Sequence, residues 1–185
     1  MFHLNREWTI YFHAKNQGKK YADNKEKLMD ISDIHTFWCT MNNIPKPSEM
    51  FSDGTKNVKT LKRTGQVPNA ISFFAKGVDP CWEDPKNING AEWSIRIFKN
   101  VEPADDIWLK FIVELIGETF DNSEHVNGVR IVDCTRDTQV MYRIEIWYDS
   151  VEYKSFFENK IREICGISQH CRLLFREHST VKETS

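Results

Sequence analysis

Three segments of the chain carry apolar residues at helical spacing, and the stretches between them have the composition of short strands. The helical segments run from Ser32 or Asp33 to about Asn43, from Pro103 to Gly117, and from about Ser150 to Cys165. The strand candidates are residues 8–12, 70–75, 91–98, 126–134, 140–148 and about 171–176. Strands interleaved with three helices favour an α+β fold, in which the helices cover one face of a largely antiparallel sheet.

The length and charge of the chain limit its class. Its 185 residues suit one domain, which we expect to span residues 1–178, followed by a polar tail over 179–185. Lys and Arg total 25 against 27 Asp and Glu, so the net charge of −2 excludes a bulk polycation. No apolar run approaches the ~18 residues of a membrane span. Five cysteines without a C-x-x-C pair indicate reduced thiols and a cytoplasmic protein, with the nucleus as a second location.

Common catalytic and metal-binding patterns are missing from the sequence. It holds no P-loop, no G-x-S-x-G and no H-E-x-x-H. The spacing of Cys165, His170 and Cys171 fits no common zinc site. We therefore expect a protein that is not an enzyme and that binds no metal or other cofactor.

A loop between two prolines places an indole next to a carboxylate. Pro80 and Pro85 enclose Cys-Trp-Glu-Asp, and a residue before proline avoids the α region, so the loop is stiff and non-helical. Trp82 could stack on a base while Glu83 accepts two hydrogen bonds from its edge. Guanine offers such a pair of donors, N1–H and the N2 amine, and adenine does not. The alternative is that Trp82 fills the core and the acidic residues start a turn.

A second aromatic could complete a sandwich around such a base. Tyr21, in the polar stretch 13–27, and Tyr11 are the candidates. Stacking is worth ~1–3 kcal/mol per base, and a cationic ring adds about 2 kcal/mol when it is desolvated. The alternative for Tyr21 is an ordinary surface aromatic.

Arginines in or beside two neighbouring strands supply a candidate anion site. Arg130, Arg136 and Arg143 make a compact phosphate site if they share a face, because a planar guanidinium binds two oxygens at once. A basic, turn-rich loop over residues 52–69 could extend the same field. The alternative is a solvated strand face on which the arginines pair with nearby acids, namely Asp133, Asp137 and Glu145.

Several short motifs follow one another along the chain. The most specific is K-G-V-D-P-C-W-E-D at residues 76–84. The others are His3 with Trp8, Phe37-Trp38, N-I-N-G-A-E-W at 87–93, Trp108-Leu109, L-I-G-E-T-F at 115–120 and the late Trp147. In this order and spacing, over about His3 to Phe175, they resemble the messenger-RNA cap-binding translation initiation factors, the four-E family.

The resemblance implies a curved antiparallel sheet of about eight strands, with three helices on its convex back and a ligand slot on its concave side. Members of the family sandwich 7-methylguanine between two aromatics, which here are Tyr21 and Trp82. Glu83 would bind the Watson–Crick edge, and Trp147 would lie against the N7-methyl group. The family usually has Trp where Tyr21 stands, so this wall of the slot is expected to be weaker.

The resemblance also implies phosphate and partner contacts. Arg143 aligns with a phosphate-binding lysine, and the family's first phosphate-binding arginine aligns with either Arg136 or Cys134. The convex back of the family binds a scaffold initiation factor, or a competing binding protein, through a short helical motif. The corresponding residues are His3, Leu4, Ile34, Trp38, Leu109 and Val113. Without the resemblance, Trp38 would be assigned to the core.

Leu109 and Val113 support this surface independently. They lie on the flank of the buried stripe of their helix, so the apolar face of the helix is too wide for one core to cover.

The expected function is binding of the 7-methylguanosine 5′ cap of messenger RNA during translation initiation, through a scaffold partner. The alternatives are a cap-binding translational repressor, a generic single-stranded RNA-binding protein and, less favoured, an uncharacterised enzyme.

Overall fold

The computed structural model describes residues 2–15, 24–51, 55, 59–60, 65–98 and 102–180. Its strands are β1 (His3–Ala14), β2 (Lys25–Asp33), β3 (Pro68–Ala75), β4 (Ala91–Phe98), β5 (Val126–Asp133), β6 (Met141–Tyr148) and β7 (Leu174–Glu177). Its helices are α1 (Ile34–Asn43), α2 (Pro47–Met50), α3 (Glu102–Gly117) and α4 (Lys154–Cys165). No helix in these residues is long and apolar enough to cross a membrane.

The strands form one curved antiparallel sheet in the order β2-β1-β3-β5-β6-β4-β7. The predicted α+β class is therefore confirmed, with seven strands in the described residues where about eight were expected. The three longer helices, α1, α3 and α4, are the three that the apolar stripes predict, and α2 is a single extra turn.

One face of the sheet is apolar and packs against the helices. Because side chains alternate between the faces of a strand, Trp8, Phe73 and Ile144 point to this side. The rings of Trp8 and Phe73 stack with centroids 4.9 Å apart. Helix α3 adds Trp108 and Phe111 to the same buried cluster. This core supports the sheet from behind and leaves its other face open to polar residues.

The opposite face, called the polar face here, consists of three rows that run across the strands. The Trp147 row contains Thr9, Phe74, Gly128, Trp147, Glu92 and Arg176. The Glu145 row contains Tyr11, Ser72, Arg130, Glu145, Ser94 and Leu174. The Arg143 row contains His13, Ala70, Val132, Arg143 and Arg96. Neighbouring rows are two residues apart along each strand, or about 7 Å.

Local signals place most of the helix ends correctly. Asp33 caps α1, since its carboxylate accepts a hydrogen bond from the Thr36 amide at 2.8 Å. Gly166 ends α4 with a φ of 62°, a left-handed conformation that favours glycine. The third predicted helix starts with a 3-10 turn at Val151–Tyr153 before α4 begins.

Two strands differ from the sequence prediction. Strand β2 was not predicted, because residues 26–29 are exposed at the edge of the sheet and show no apolar alternation. Strand β1 begins at His3 instead of Trp8, since its first residues pair with β2 without being fully buried. The last strand covers Leu174–Glu177 instead of residues 171–176.

Candidate functional site

The loop that carries Trp82 and Glu83 is held rigid from within. The carboxylate of Asp84 accepts hydrogen bonds from the amides of Asp79 and Lys86, both at 2.8 Å. The fully buried Asn87 donates its side-chain amide to the carbonyls of Asp79 and Cys81, also at 2.8 Å. These bonds close the loop on itself and fix the segment from which Trp82 projects. The stiff, non-helical loop predicted from its prolines is therefore confirmed.

Trp82 lies against Trp147, at the end of the polar face. The two indole rings are nearly parallel, at 15°, with centroids 6.3 Å apart. Trp147 is fully buried, whereas Trp82 is half-buried and Glu83 is exposed beside it. The indole nitrogen of Trp82 is buried without a hydrogen-bond partner among the described residues. An indole and an exposed carboxylate are thus adjacent at the open side of the molecule.

A buried ionic cluster lies beneath Trp147. The carboxylate of Glu145 contacts Arg130 Nε at 2.7 Å, Arg143 Nη2 at 2.7 Å and Trp147 Nε1 at 3.0 Å. The guanidinium of Arg130 also lies over the Trp147 ring, 4.7 Å from its centroid. Burial opposes ionisation of Glu145, but the two arginines outweigh it and lower the pKa of this carboxyl. The cluster therefore fixes the orientation of the Trp147 ring.

Another buried polar pair lies next to this cluster. His13 Nε2 and the Ser72 hydroxyl are 2.6 Å apart. Burial and the positive charge of Arg130 lower the pKa of His13 to about 3. His13 is therefore neutral at physiological pH.

The C-terminal strand brings two residues to the aromatic pair that sequence reasoning missed. The guanidinium of Arg176 lies over the Trp82 ring at 5.5 Å and 3.7 Å from the buried carboxylate of Glu92. The ring of His178 packs on Trp147 at 4.6 Å, and its Nδ1–H donates to the Asn87 carbonyl at 2.7 Å. Only the pairing of β7 with β4 places these residues here, and the sequence gives no local signal for it.

The three candidate phosphate arginines do not come together. Arg130 and Arg143 share the polar face and meet at Glu145, with Arg130 buried and the Arg143 side chain 22% exposed. Arg136 lies apart from them, exposed in the turn that bridges to Gln139. Cys134, the other residue in the ambiguous alignment, directly follows β5 and is half-buried. The sequence alternative, pairing with nearby acids, holds for Arg130 and Arg143.

The candidate second wall of the slot, Tyr21, lies outside the described residues, as do Lys56, Lys62 and Arg63 of the basic loop. Tyr11, the other aromatic considered for that role, is a buried residue of the Glu145 row. Its ring lies 5.3 Å from the Lys25 ammonium.

A separate apolar surface lies on the helical side of the molecule. Trp38, Ile34 and Val113 are 44%, 36% and 39% exposed, although all three are large apolar residues. Trp38 is therefore not a core residue. Leu109 is half-buried beside them and, with Trp38, lines a pocket of about 160 Å³ between α1 and α3. Strand β1 begins next to α1, where the Ile34 amide donates to the Phe2 carbonyl at 3.1 Å. At this start of β1, His3 is exposed and Leu4 is half-buried.

Comparison with known proteins gives sequence relatives in fungi. The eukaryotic translation initiation factor 4E-2 of Schizosaccharomyces pombe is 27% identical over 182 residues, which cover 95% of this chain and 66% of that protein. The initiation factor 4E of Eremothecium gossypii is 25% identical over 185 residues, which cover 97% of this chain and 79% of that protein.

Solved structures share the fold. The complex of Ascaris suum eIF4E-3 with m7G cap has a TM-score of 0.78 at 21% identity, covering 98% of this chain and 94% of that one. The complex of C. elegans eIF4E-3 with the 4E-binding protein Mextli and a cap analog has a TM-score of 0.76 at 18% identity, covering 96% and 92%. The family model described as eukaryotic initiation factor 4E matches residues 3–185. The chain therefore belongs to the eukaryotic initiation factor 4E family.

Proposed function

We propose that the chain binds the 7-methylguanosine 5′ cap of messenger RNA at the Trp82 end of the polar face, and that it does so in translation initiation. The observation that carries the proposal is the pairing of Trp82 with the exposed carboxylate of Glu83 on a rigid loop above the Trp147 row. The family and the cap-bound structures of its nematode members support the same ligand.

The chemistry of the base matches these side chains. Methylation of N7 makes the guanine ring cationic, and an indole face attracts a cation through its quadrupole. Glu83 then accepts hydrogen bonds from N1–H and the N2 amine, and these charge-assisted bonds are worth about 1.5–3 kcal/mol each. Tyr21 is proposed as the second wall of the sandwich, and Trp147 as the contact to the N7-methyl group.

The proposed path of the phosphates follows from the three rows. The base lies at the Trp147 row, and Arg143 lies two rows further along the sheet with part of its side chain exposed. We assign phosphate binding to Arg143, with Arg136 at the turn as a second contact. Arg130 is buried against Trp147 and Glu145, so its proposed role is to hold the slot and to add positive charge beneath it.

The apolar surface around Trp38 is the proposed docking site of a scaffold initiation factor or of a competing binding protein. Exposed Trp38, Ile34 and Val113 offer the apolar positions that an amphipathic helix contacts. The C. elegans relative binds the 4E-binding protein Mextli in its solved complex. In this proposal the chain is an adaptor without catalysis, and it acts in the cytoplasm.

Retention on immobilised 7-methyl-GTP tests the ligand. The wild-type protein is expected to be released by free 7-methyl-GTP and not by GTP. Trp82→Ala and Glu83→Gln are expected to abolish retention, while Glu152→Gln, an exposed carboxylate outside the polar face, retains it. Equal affinity for GTP and 7-methyl-GTP in a fluorescence titration contradicts the proposal.

A reciprocal pair of variants separates the two surfaces. Trp38→Ala is expected to abolish binding of a helical scaffold peptide and to leave cap affinity unchanged within a few-fold. Trp82→Ala is expected to do the reverse. Circular dichroism of both variants reports whether they fold, and a loss of both activities in a folded Trp38→Ala protein contradicts the separation.

A further inference from the structure

A second arginine stands directly opposite Arg143 on the polar face. Strands β4 and β6 pair with Arg96 facing Arg143, two rows from Trp147 and Glu92. Two like charges at directly opposed positions destabilise a sheet. Arg96 is exposed, and no carboxylate among the described residues lies within ion-pair distance of it. Within the described part of the chain, the guanidinium of Arg96 is therefore not neutralised, and it lies beside the arginine proposed to bind phosphate.

The two arginines lie side by side near the end of β5. Arg143 pairs with Val132 of β5 on one side and with Arg96 of β4 on the other, so both side chains lie on the same face of the sheet. Burial, Glu145 and Asp133 raise the pKa of the neighbouring Cys134 thiol, and the positive charges of Arg143 and Arg96 lower it. Arg143 Nη2 lies 2.7 Å from the Glu145 carboxylate, so the guanidinium of Arg143 has a fixed position.

The charges at this end of the polar face do not cancel. The carboxylate of Glu145 is shared between Arg130 and Arg143. Among the described residues of the Glu145 and Arg143 rows, one acid therefore faces three arginines, which are Arg96, Arg130 and Arg143. An excess of two positive charges on this part of the polar face favours a polyanion.

We propose that Arg96 is a further contact of the 5′-polyphosphate chain of the nucleotide ligand, directly opposite Arg143 on the polar face. Two opposed guanidiniums clamp phosphate oxygens from both sides, and each binds two oxygens through its planar fork. The Arg143 row is four residues, or about 14 Å, from the Trp147 row along the strands, and strand side chains lean along that direction. A ligand whose base stacks on Trp82 thus directs its phosphates to this pair. This inference rests on the proposed cap binding for the position of the base.

Calorimetry with 7-methylguanosine and its 5′-mono-, di- and triphosphate tests the pair. In the wild-type protein the affinity is expected to rise along the series, and the rise to shrink with added salt. Arg96→Gln is expected to reduce the gain from nucleoside to triphosphate by about 5- to 30-fold and to leave nucleoside affinity unchanged. Arg96→Lys keeps the charge without the fork and is expected to lose part of the gain.

Arg172→Gln is the matched control, since it removes the same charge from an exposed loop residue outside the polar face. A full phosphate gain in Arg96→Gln, or an equal loss in Arg172→Gln, overturns the inference while cap binding stands. If the wild-type protein does not prefer the methylated base, the proposed function fails instead. Binding of GTP and inorganic tripolyphosphate to wild type and Arg96→Gln then decides the phosphate site by itself: weaker binding in the variant supports it, and equal binding overturns it.

Discussion

Removal of the Glu145 carboxylate is expected to destabilise the whole protein. The side chain is fully buried, and its oxygens lie within 3.0 Å of Arg130, Arg143 and the Trp147 indole nitrogen. Glu145→Ala removes the carboxylate that pairs with the buried Arg130 guanidinium, and breaking a buried pair in this way costs about 3–5 kcal/mol. Such a loss is a large part of the stability of an ordinary domain, about 5–15 kcal/mol.

Urea unfolding measures the loss as a lower midpoint with an unchanged slope. Glu163→Ala is the control, because its carboxylate is 70% exposed and pairs with Lys160 at 2.9 Å, and such surface pairs contribute about 0–1 kcal/mol. The double variant Arg130→Ala/Glu145→Ala is expected to lose less than the sum of the two single variants, because it removes both charges. A loss below about 1 kcal/mol in Glu145→Ala refutes the reasoning.

The pH dependence gives an independent check on the same carboxyl. Its pKa lies below the ordinary value of 4.5, since Arg130 and Arg143 outweigh the burial that opposes ionisation. Its ionised form therefore contributes stability that is fully present above pH 4.5 and is lost as the pH falls through the lower, folded-state pKa. The stability difference between wild type and Glu145→Gln is expected to shrink over that acidic range. A difference that stays constant there contradicts the assignment.

Three further predictions concern single residues. Gly128→Ala is expected to lower the melting temperature, because a Cβ atom there would lie 2.5 Å from ring carbons of Phe74 and overpacking costs about 1–3 kcal/mol; an unchanged melting temperature contradicts it. His13, whose pKa is about 3, is expected to show no NMR titration near 6.5, the ordinary pKa of histidine. The free energy of unfolding should fall as the pH drops below 6.5, because the unfolded chain takes up the proton first. The exposed Cys39 is expected to be alkylated before Cys165, since burial raises the pKa of that thiol to about 12; equal rates contradict this.

The helices were predictable because their signals are local. An apolar stripe at helical spacing, a capping Asp33 and a terminating Gly166 all act within one or two turns, and the structure uses each of them. The stiffness of the Trp82 loop was predictable for the same reason, since prolines restrict only their neighbours. The exposure of Trp38 was not, because helical spacing alone assigns it to the buried stripe.

The arrangement of the polar face was not predictable from the residues alone, because it depends on strand register. Arg130 meets Glu145 only because β5 and β6 pair in the register that sets them opposite each other. A shift of β5 by one residue would turn Arg130 to the apolar face, away from Glu145. Arg176 and Glu92 likewise meet through the pairing of β7 with β4, which lie far apart in sequence.

The position of the ionic cluster under Trp147 indicates a role in geometry more than in stability. A buried ion pair gains little over apolar residues of the same size, because desolvation offsets its Coulomb attraction. Glu145 instead orients the Trp147 ring. Its carboxylate accepts a hydrogen bond from the Trp147 indole N–H at 3.0 Å, while the guanidinium of Arg130 lies over the same ring, 4.7 Å from its centroid. These two contacts fix the plane of Trp147, and the Trp82 ring lies within 15° of that plane. The same carboxylate holds Arg143 at the far end of the proposed ligand path, so Glu145 positions both the aromatic end and the phosphate end of one slot.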